Sequence, residues 1–218
     1  MNLCVYCGAG FGADPAYRAA AQATGRYLAE QRIGLVYGGA AVGLMGAMAD
    51  AALAAGGHVT GVMPRSLVER EIAHMGLSSM HVVDTMHERK ALMAELSHGF
   101  IALPGGPGTL DEIVEQWTWG LLGIHAKPSG FLNVNGYFDP FRAMAQRMAA
   151  QGFVSQPYAD MLVFAESPAE LVARFRAYVA PAPEMGHDAD GALSGDRVTP
   201  HPPNRFAVGP LPLPLGEV

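Results

Sequence analysis

Phe100-Ile101-Ala102-Leu103-Pro104-Gly105-Gly106-Pro107-Gly108-Thr109-Leu110-Asp111-Glu112 runs from a strongly apolar stretch, through a glycine-rich turn, into a helical pattern. The same passage from short apolar run to longer helical segment recurs in both directions along the chain. It predicts strands over 2–7, 34–37, 58–63, 81–84, 99–103, 129–133 and 162–165. Helices are predicted over 15–31, 42–55, 85–97, 109–122, 138–151 and 168–179. Alternation of this kind builds an α/β fold, a parallel sheet with helices packed against it. Two helix starts carry their own mechanism. Asp14-Pro15 is an N-cap followed by proline at the first helical position, and Ser167-Pro168-Ala169-Glu170 adds a capping box to that arrangement.

The 218 residues suffice for one such domain with a full core and are slightly few for two. Half of them are hydrophobic and 16% are charged, the composition of a compact globular chain. A net charge of −6 argues against a nucleic-acid partner, since no basic stripe is present to neutralise a phosphate backbone. No stretch approaches the roughly 20 apolar residues that span a bilayer. The N-terminus has neither the basic nor the apolar region of a secretory signal, so the expected location is the cytoplasm, with no membrane partner. Cys4 and Cys7 form a C-x-x-C, yet they lie in an apolar first strand and not at a helix N-terminus, where a reactive thiolate is stabilised. They are expected to be buried on opposite faces of that strand.

Composition changes at residue 181. Residues 1–180 read as the folded domain, whereas 181–218 hold 8 of the 16 prolines and show no apolar periodicity. Such a segment is expected to be a mobile extension, since proline removes backbone donors and the composition cannot build a core.

Three glycine-rich turns follow predicted strands: Gly8-Ala9-Gly10-Phe11-Gly12, Gly38-Gly39-Ala40-Ala41-Val42-Gly43, and Pro104-Gly105-Gly106-Pro107-Gly108-Thr109. The first lacks the third glycine of G-x-G-x-x-G at its proper place. In the second, Gly43 and Gly46 are expected to let the following helix pack closely on the sheet. The third places several backbone N–H groups at the positive end of a helix, which makes it an anion site. It lacks the lysine of a P-loop, which disfavours kinase or NTPase chemistry.

Two groups of charges flank that turn. Thr85-Met86-His87-Glu88 forms a capping box at the preceding helix, with Arg89 and Lys90 in its first turns. Cations there oppose the helix dipole at a cost of up to about 1 kcal/mol each, and an anionic ligand would account for both. On the other side stand Asp111 and Glu112. By spacing, Thr109-Leu110-Asp111-Glu112 is equally a capping box or the start of a catalytic set, although a carboxylate beside an anion site suggests a further task. Glu115 and Thr118 lie further along the same helix.

Met86-His87-x-Arg89-Lys90, Pro104-Gly105-Gly106-x-Gly108-Thr109-x-x-Glu112 and Gly43-Leu44-Met45-Gly46 together resemble the LOG (LONELY GUY) family. Thr118-Trp119-Gly120-Leu121-Leu122-Gly123-Ile124-His125-Ala126-Lys127-Pro128 and Leu132-Asn133-Val134-Asn135-Gly136-Tyr137 support the match, which covers roughly residues 3–179. The family comprises cytokinin riboside 5′-monophosphate phosphoribohydrolases, often labelled lysine decarboxylases. The resemblance implies a Rossmann-like, doubly wound parallel sheet with helices on both faces, assembled as a homodimer. The implied reaction is hydrolysis of the N-glycosidic bond of an N6-modified AMP, or of AMP itself, without metal or organic cofactor. Carried onto this chain, it assigns Arg89 and Glu112 as the catalytic pair. Substrate contacts fall on Glu71, Lys90, Gly105, Gly106, Pro107, Gly108, Thr109, Leu110, Asp111 and Thr118.

This chain departs from the family pattern in four places. Ala9-Gly10 stands for two serines, Ala40 for a glycine, Pro107 for an aromatic residue and Asp111 for glutamate. The competing reading is a nucleotide-binding or carrier protein of Rossmann type that does not turn its ligand over.

Overall fold

The computed structural model describes residues 1–68 and 73–182, so the expectations for Glu71 and for the tail from residue 183 onward lie outside the described residues. Seven parallel strands form one sheet in the order β4-β3-β2-β1-β5-β6-β7. They are β1 (Asn2–Tyr6), β2 (Gly34–Tyr37), β3 (Val59–Pro64), β4 (Ser79–Val83), β5 (Phe100–Ala102), β6 (Ser129–Leu132) and β7 (Val163–Ala165). Between them run α1 (Pro15–Glu30), α2 (Gly43–Ala54), α3 (Arg65–Val68), α4 (Met86–Glu95), α5 (Pro107–Leu121), α6 (Asp139–Ala150), α7 (Gln156–Asp160) and α8 (Pro168–Arg176).

The chain winds outward from β1 to β4, then returns to lay β5 on the other side of β1. Cys4 therefore pairs with Val36 on one side and with Phe100 on the other. In an open parallel sheet this reversal leaves a crevice beyond the carboxyl ends of the two strands, where ligands bind.

Alternation along the strands separates two cores. Leu3, Val5, Leu35, Tyr37 and Ile101 pack with Leu28 of α1, Met48 of α2 and Leu171 of α8. Cys4, Tyr6, Val36, Phe100 and Ala102 pack with Met93 of α4, Trp117 of α5 and Phe138 beside α6. The sheet is thus covered on both faces, as a parallel sheet must be to bury its strands. Cys4 and Cys7 fall in different cores as free thiols, and burial pushes the Cys4 thiol up to about 12 and Cys7 up as well. Neither is a nucleophile near neutral pH.

All seven strands and six helices predicted from the sequence are present, with shifts at the ends. The largest shift that matters is at α5, which starts at Pro107 and not at Thr109. Proline at the first helical position fixes φ near its helical value and gives up an amide that has no partner there anyway. Thr109 is consequently the third helical residue, and its N–H turns back to the Gly106 carbonyl at 3.1 Å. Thr109-Leu110-Asp111-Glu112 is therefore not a capping box. The Ser167 box is half made: Ser167 Oγ accepts from Glu170 N–H at 3.2 Å, while the Glu170 carboxylate takes the Glu166 N–H. Gly43 and Gly46 face the turns and not the sheet. A Cβ on Gly43, which sits at φ +56°, would run into the Ala9 backbone, and one on Gly46 into the Ala41 carbonyl.

Candidate active site

The turns after β1, β2 and β5 meet at the carboxyl edge of the sheet. Gly8 N–H donates to the Pro104 carbonyl at 3.1 Å, and Leu44 N–H to the Gly8 carbonyl at 3.1 Å. A cleft of about 430 Å3 opens between the first and third turns, walled by Ala9, Phe11, Tyr17, Leu44 and Tyr137 and floored by glycine backbone. Tyr137 closes one side: its hydroxyl donates to the Gly105 carbonyl at 2.6 Å, and its ring meets Tyr17 edge to face.

The turn that feeds α5 exposes its backbone at a helix start. Gly106 and Gly108 are exposed, with open space where a side chain would stand. The first-turn amides of a helix have no acceptor within it and carry the positive end of its dipole. Pro107 has no N–H, and the Thr109 and Leu110 amides turn onto the Gly106 carbonyl. Gly108 is therefore the first-turn amide left to a ligand. The Thr109 hydroxyl is buried against Gly105, where it shapes the turn from beneath.

Arg89 and Glu112, far apart in sequence and on helices that follow different strands, form one pair. Arg89 Nη1 donates to Glu112 Oε1 at 2.7 Å, with the two side chains only 11% and 12% exposed. Arg89 Nε donates to the Val62 carbonyl within β3, at 3.1 Å. The guanidinium also lies against Gly38, so closely that a Cβ there would collide with Nη2. Arg89 is thus held from three sides, by α5, β3 and the turn after β2. Its position in α4 is set by the Thr85 cap: Thr85 Oγ1 accepts from Glu88 N–H at 3.1 Å, and Glu88 Oε2 takes the Thr85 N–H at 3.0 Å.

Burial raises the pKa of Glu112 above the usual carboxylate range, and the Arg89 charge only partly pulls it back. A carboxylate raised in this way is suited to exchanging a proton during reaction. Lys90 is placed differently. Its ammonium sits between Glu115 Oε1 at 2.9 Å and Asp111 Oδ2 at 3.3 Å. Burial works against its charge, but the two carboxylates outweigh burial and raise its pKa.

Of the other residues singled out in the sequence, Gly105 to Leu110 form the α5 turn, and Asp111 is an exposed partner of Lys90. Thr118 is exposed on α5 and bonds back to the Val114 carbonyl at 2.8 Å. Sequence reasoning marks Gly38 for close approach but not against Arg89, and it does not select Tyr137 or the clamp role of Glu115. Tyr137 lies in the Asn-Val-Asn-Gly-Tyr stretch, but nothing in that stretch shows that its hydroxyl reaches Gly105, 32 residues away.

A family model described as "Possible lysine decarboxylase" matches residues 45–175. The cytokinin riboside 5′-monophosphate phosphoribohydrolase LOG of Oryza sativa subsp. japonica is 44% identical over 185 residues, 85% of this chain and 76% of the relative. Cytokinin riboside 5′-monophosphate phosphoribohydrolase LOG1 of Arabidopsis thaliana is 44% identical over 178 residues, 82% of this chain and 84% of the relative. Among solved structures, the molybdenum cofactor binding protein from Rippkaea orientalis superposes with a TM-score of 0.62 at 20% identity, covering 81% of this chain and 95% of that one. The Moco carrier protein of Chlamydomonas reinhardtii gives 0.61 at 19% identity, covering 81% and 95%. At such identities these two structures speak for the Rossmann-like fold alone.

Proposed function

The chain belongs to the LOG family, and from that premise we propose that it hydrolyses the N-glycosidic bond of a nucleoside 5′-monophosphate. The substrate is an N6-modified AMP of cytokinin type, or AMP itself, and the products are free base and ribose 5-phosphate. The observation that carries the site assignment is the buried Arg89–Glu112 pair at 2.7 Å, next to a helix N-terminus open to an anion.

In this reading the 5′-phosphate lies at the Gly105–Gly108 turn, where the α5 dipole and the Gly108 amide favour negative charge. Breaking the bond from C1′ to the base nitrogen sends its electron pair to the base and leaves oxocarbenium character on the ribose. Glu112 faces that developing positive charge and takes a proton from the water whose oxygen bonds to C1′; that proton then passes to the base nitrogen that received the electron pair, so the base leaves neutral and the carboxylate is restored. Arg89 holds Glu112 in place and, by donating to it, keeps it from being protonated too early. Lys90 reaches the substrate as one member of a charge cluster with Glu115 and Asp111. Glu71 and Thr118 complete the proposed contacts, and no cofactor is called for.

We extend the proposal to a cytoplasmic homodimer. Met86 at the start of α4, and Leu122 and Ile124 just beyond α5, are exposed apolar residues that a second copy would cover. The free, buried cysteines suit a reducing compartment.

The carrier reading is weaker, because a protein that only held a nucleotide would gain nothing from burying a carboxylate beside its phosphate turn. A pyridoxal-type decarboxylase is weaker still. Lys90 is held charged by two carboxylates and is no poised Schiff-base amine; burial does lower the Lys127 pKa, but that amine is engaged by the Ala94 carbonyl at the end of α4. Incubation with AMP and with N6-isopentenyl-AMP separates the readings: the hydrolase releases free base from at least one, whereas binding without release would support the carrier.

A further inference from the structure

The turn after β2 is held from outside by a histidine that the reaction as described does not use. His74 N–H donates to the Gly39 carbonyl at 2.8 Å, and Ala73 forms an antiparallel bridge with Ala40. The His74 side chain is only 11% exposed, and both ring nitrogens are engaged. Gly76 N–H donates to Nδ1 at 3.1 Å, and Nε2 lies 3.0 Å from Asp50 Oδ1 on α2. Because Nδ1 accepts, the proton of the neutral ring is on Nε2 and is donated to Asp50. One side chain therefore fixes the returning chain to α2 while its backbone grips the glycine turn. The turn so gripped is the one whose Gly38 lies against the Arg89 guanidinium. Met80 packs on Gly39 from the same returning segment.

We propose that His74, locked by Asp50, is a positioning residue for the reaction: it holds Gly38–Ala40 in place so that Gly38 presses on Arg89 and fixes its aim at Glu112. Its effect on turnover rests on the hydrolase reading above, but its effect on the turn does not. Arg89 keeps its bonds to Val62 and Glu112 without the clamp, so misalignment and not loss of the group is expected.

Asp50 is exposed, so Asp50→Ala cuts the clamp without disturbing the core. The test measures kcat and KM for AMP together with amide hydrogen exchange over residues 36–46. Asp50→Ala and His74→Ala are expected to lower kcat about tenfold with KM within about twofold, less than the ~100-fold that a full 1 Å misplacement can cost. Exchange over 36–46 should quicken in both. His74→Gln still has an amide donor that can reach Asp50 and should recover most of kcat. His74→Asn keeps only an acceptor for Gly76 and should not, whereas Asp50→Asn retains an acceptor oxygen and should turn over normally. The proposal is overturned if both alanine variants keep wild-type kcat, or if His74→Gln is as impaired as His74→Ala. Should the wild type release no base at all, the hydrolase reading fails by itself. Exchange then decides the clamp: faster exchange in Asp50→Ala upholds it, and unchanged exchange overturns it.

Discussion

Replacing Arg89 with methionine keeps much of the side chain's bulk while removing its charge from Glu112. The carboxylate left behind is 12% exposed and loses its 2.7 Å partner. Breaking a buried pair from one side costs about 3–5 kcal/mol, a large part of the roughly 5–15 kcal/mol that holds a typical domain folded. The cost should depend on pH in a definite direction. Burial already places the Glu112 pKa above its ordinary value of 4.5. For a carboxylate raised in the folded state, the folded protein holds the proton longer. Its stability is then full below the unfolded pKa and is lost as pH rises through the folded one. Without Arg89 the folded pKa rises further, so the loss deepens and extends to higher pH. Urea unfolding followed by circular dichroism at several pH values would measure this. The Arg89→Met penalty should be about 3–5 kcal/mol near neutral pH and should shrink as pH falls below 4.5, the range in which Glu112 takes up its proton in folded and unfolded protein alike. The double variant Arg89→Met/Glu112→Gln should be more stable than Arg89→Met alone at pH 7. A penalty that does not change with pH, or a double variant no better than the single one, would refute the argument that a buried charge is being left unpaired.

Three further outcomes follow from the same geometry. Gly38→Ala places a methyl group where Arg89 Nη2 stands; overpacking of this kind costs about 1–3 kcal/mol, and kcat should fall by at least about tenfold as the guanidinium is displaced. Steady-state kinetics beside urea unfolding would check it, and a fully active variant would show that Arg89 is not held from that side. Thr85→Ala removes the cap of α4 and should lower unfolding free energy by about 1 kcal/mol in urea. Lys90→Met leaves Asp111 and Glu115 as like charges one turn apart and removes a cation from the nucleotide; KM for AMP should rise about tenfold or more with a smaller change in kcat, by initial-rate measurement.

How much of this the sequence carried depends on whether the information was local. Strands such as Phe100–Ala102 are short apolar runs with glycine-rich ends, and their pattern alone places them. The Asp14 and Thr85 caps need only their neighbours and were legible for that reason. The start of α5 was not, because two local signals competed: Gly106-Pro107 marks a helix start by its proline, and Thr109 with Glu112 marks one by a capping box. The proline decides it, since its fixed φ already suits the first turn, and this releases Glu112 from the backbone to pair with Arg89. Short α3 and α7, of four and five residues, complete too little of a helical period to show in a pattern. The candidate pair itself was named through the family resemblance, and the dipole cost of Arg89 and Lys90 only hinted at it. The bonds that position it, to the Val62 carbonyl and against Gly38, join residues brought together by the sheet order. No spacing rule reaches across 27 residues. His74 with Asp50 and Tyr137 with Gly105 were hidden in the same way.

The claim at the centre of this account is that Glu112, held by Arg89 beside an anion-binding helix start, acts in breaking the bond between ribose and base. Wild type and Glu112→Gln, compared for AMP binding and for release of base from N6-isopentenyl-AMP, test it most directly. The account predicts that wild type releases base and ribose 5-phosphate in equal amounts, while Glu112→Gln still binds AMP but loses about 100-fold or more in kcat. A Glu112→Gln protein that turns over like the wild type would contradict the assigned role, and a wild type that binds both nucleotides but releases no base would contradict the reaction itself.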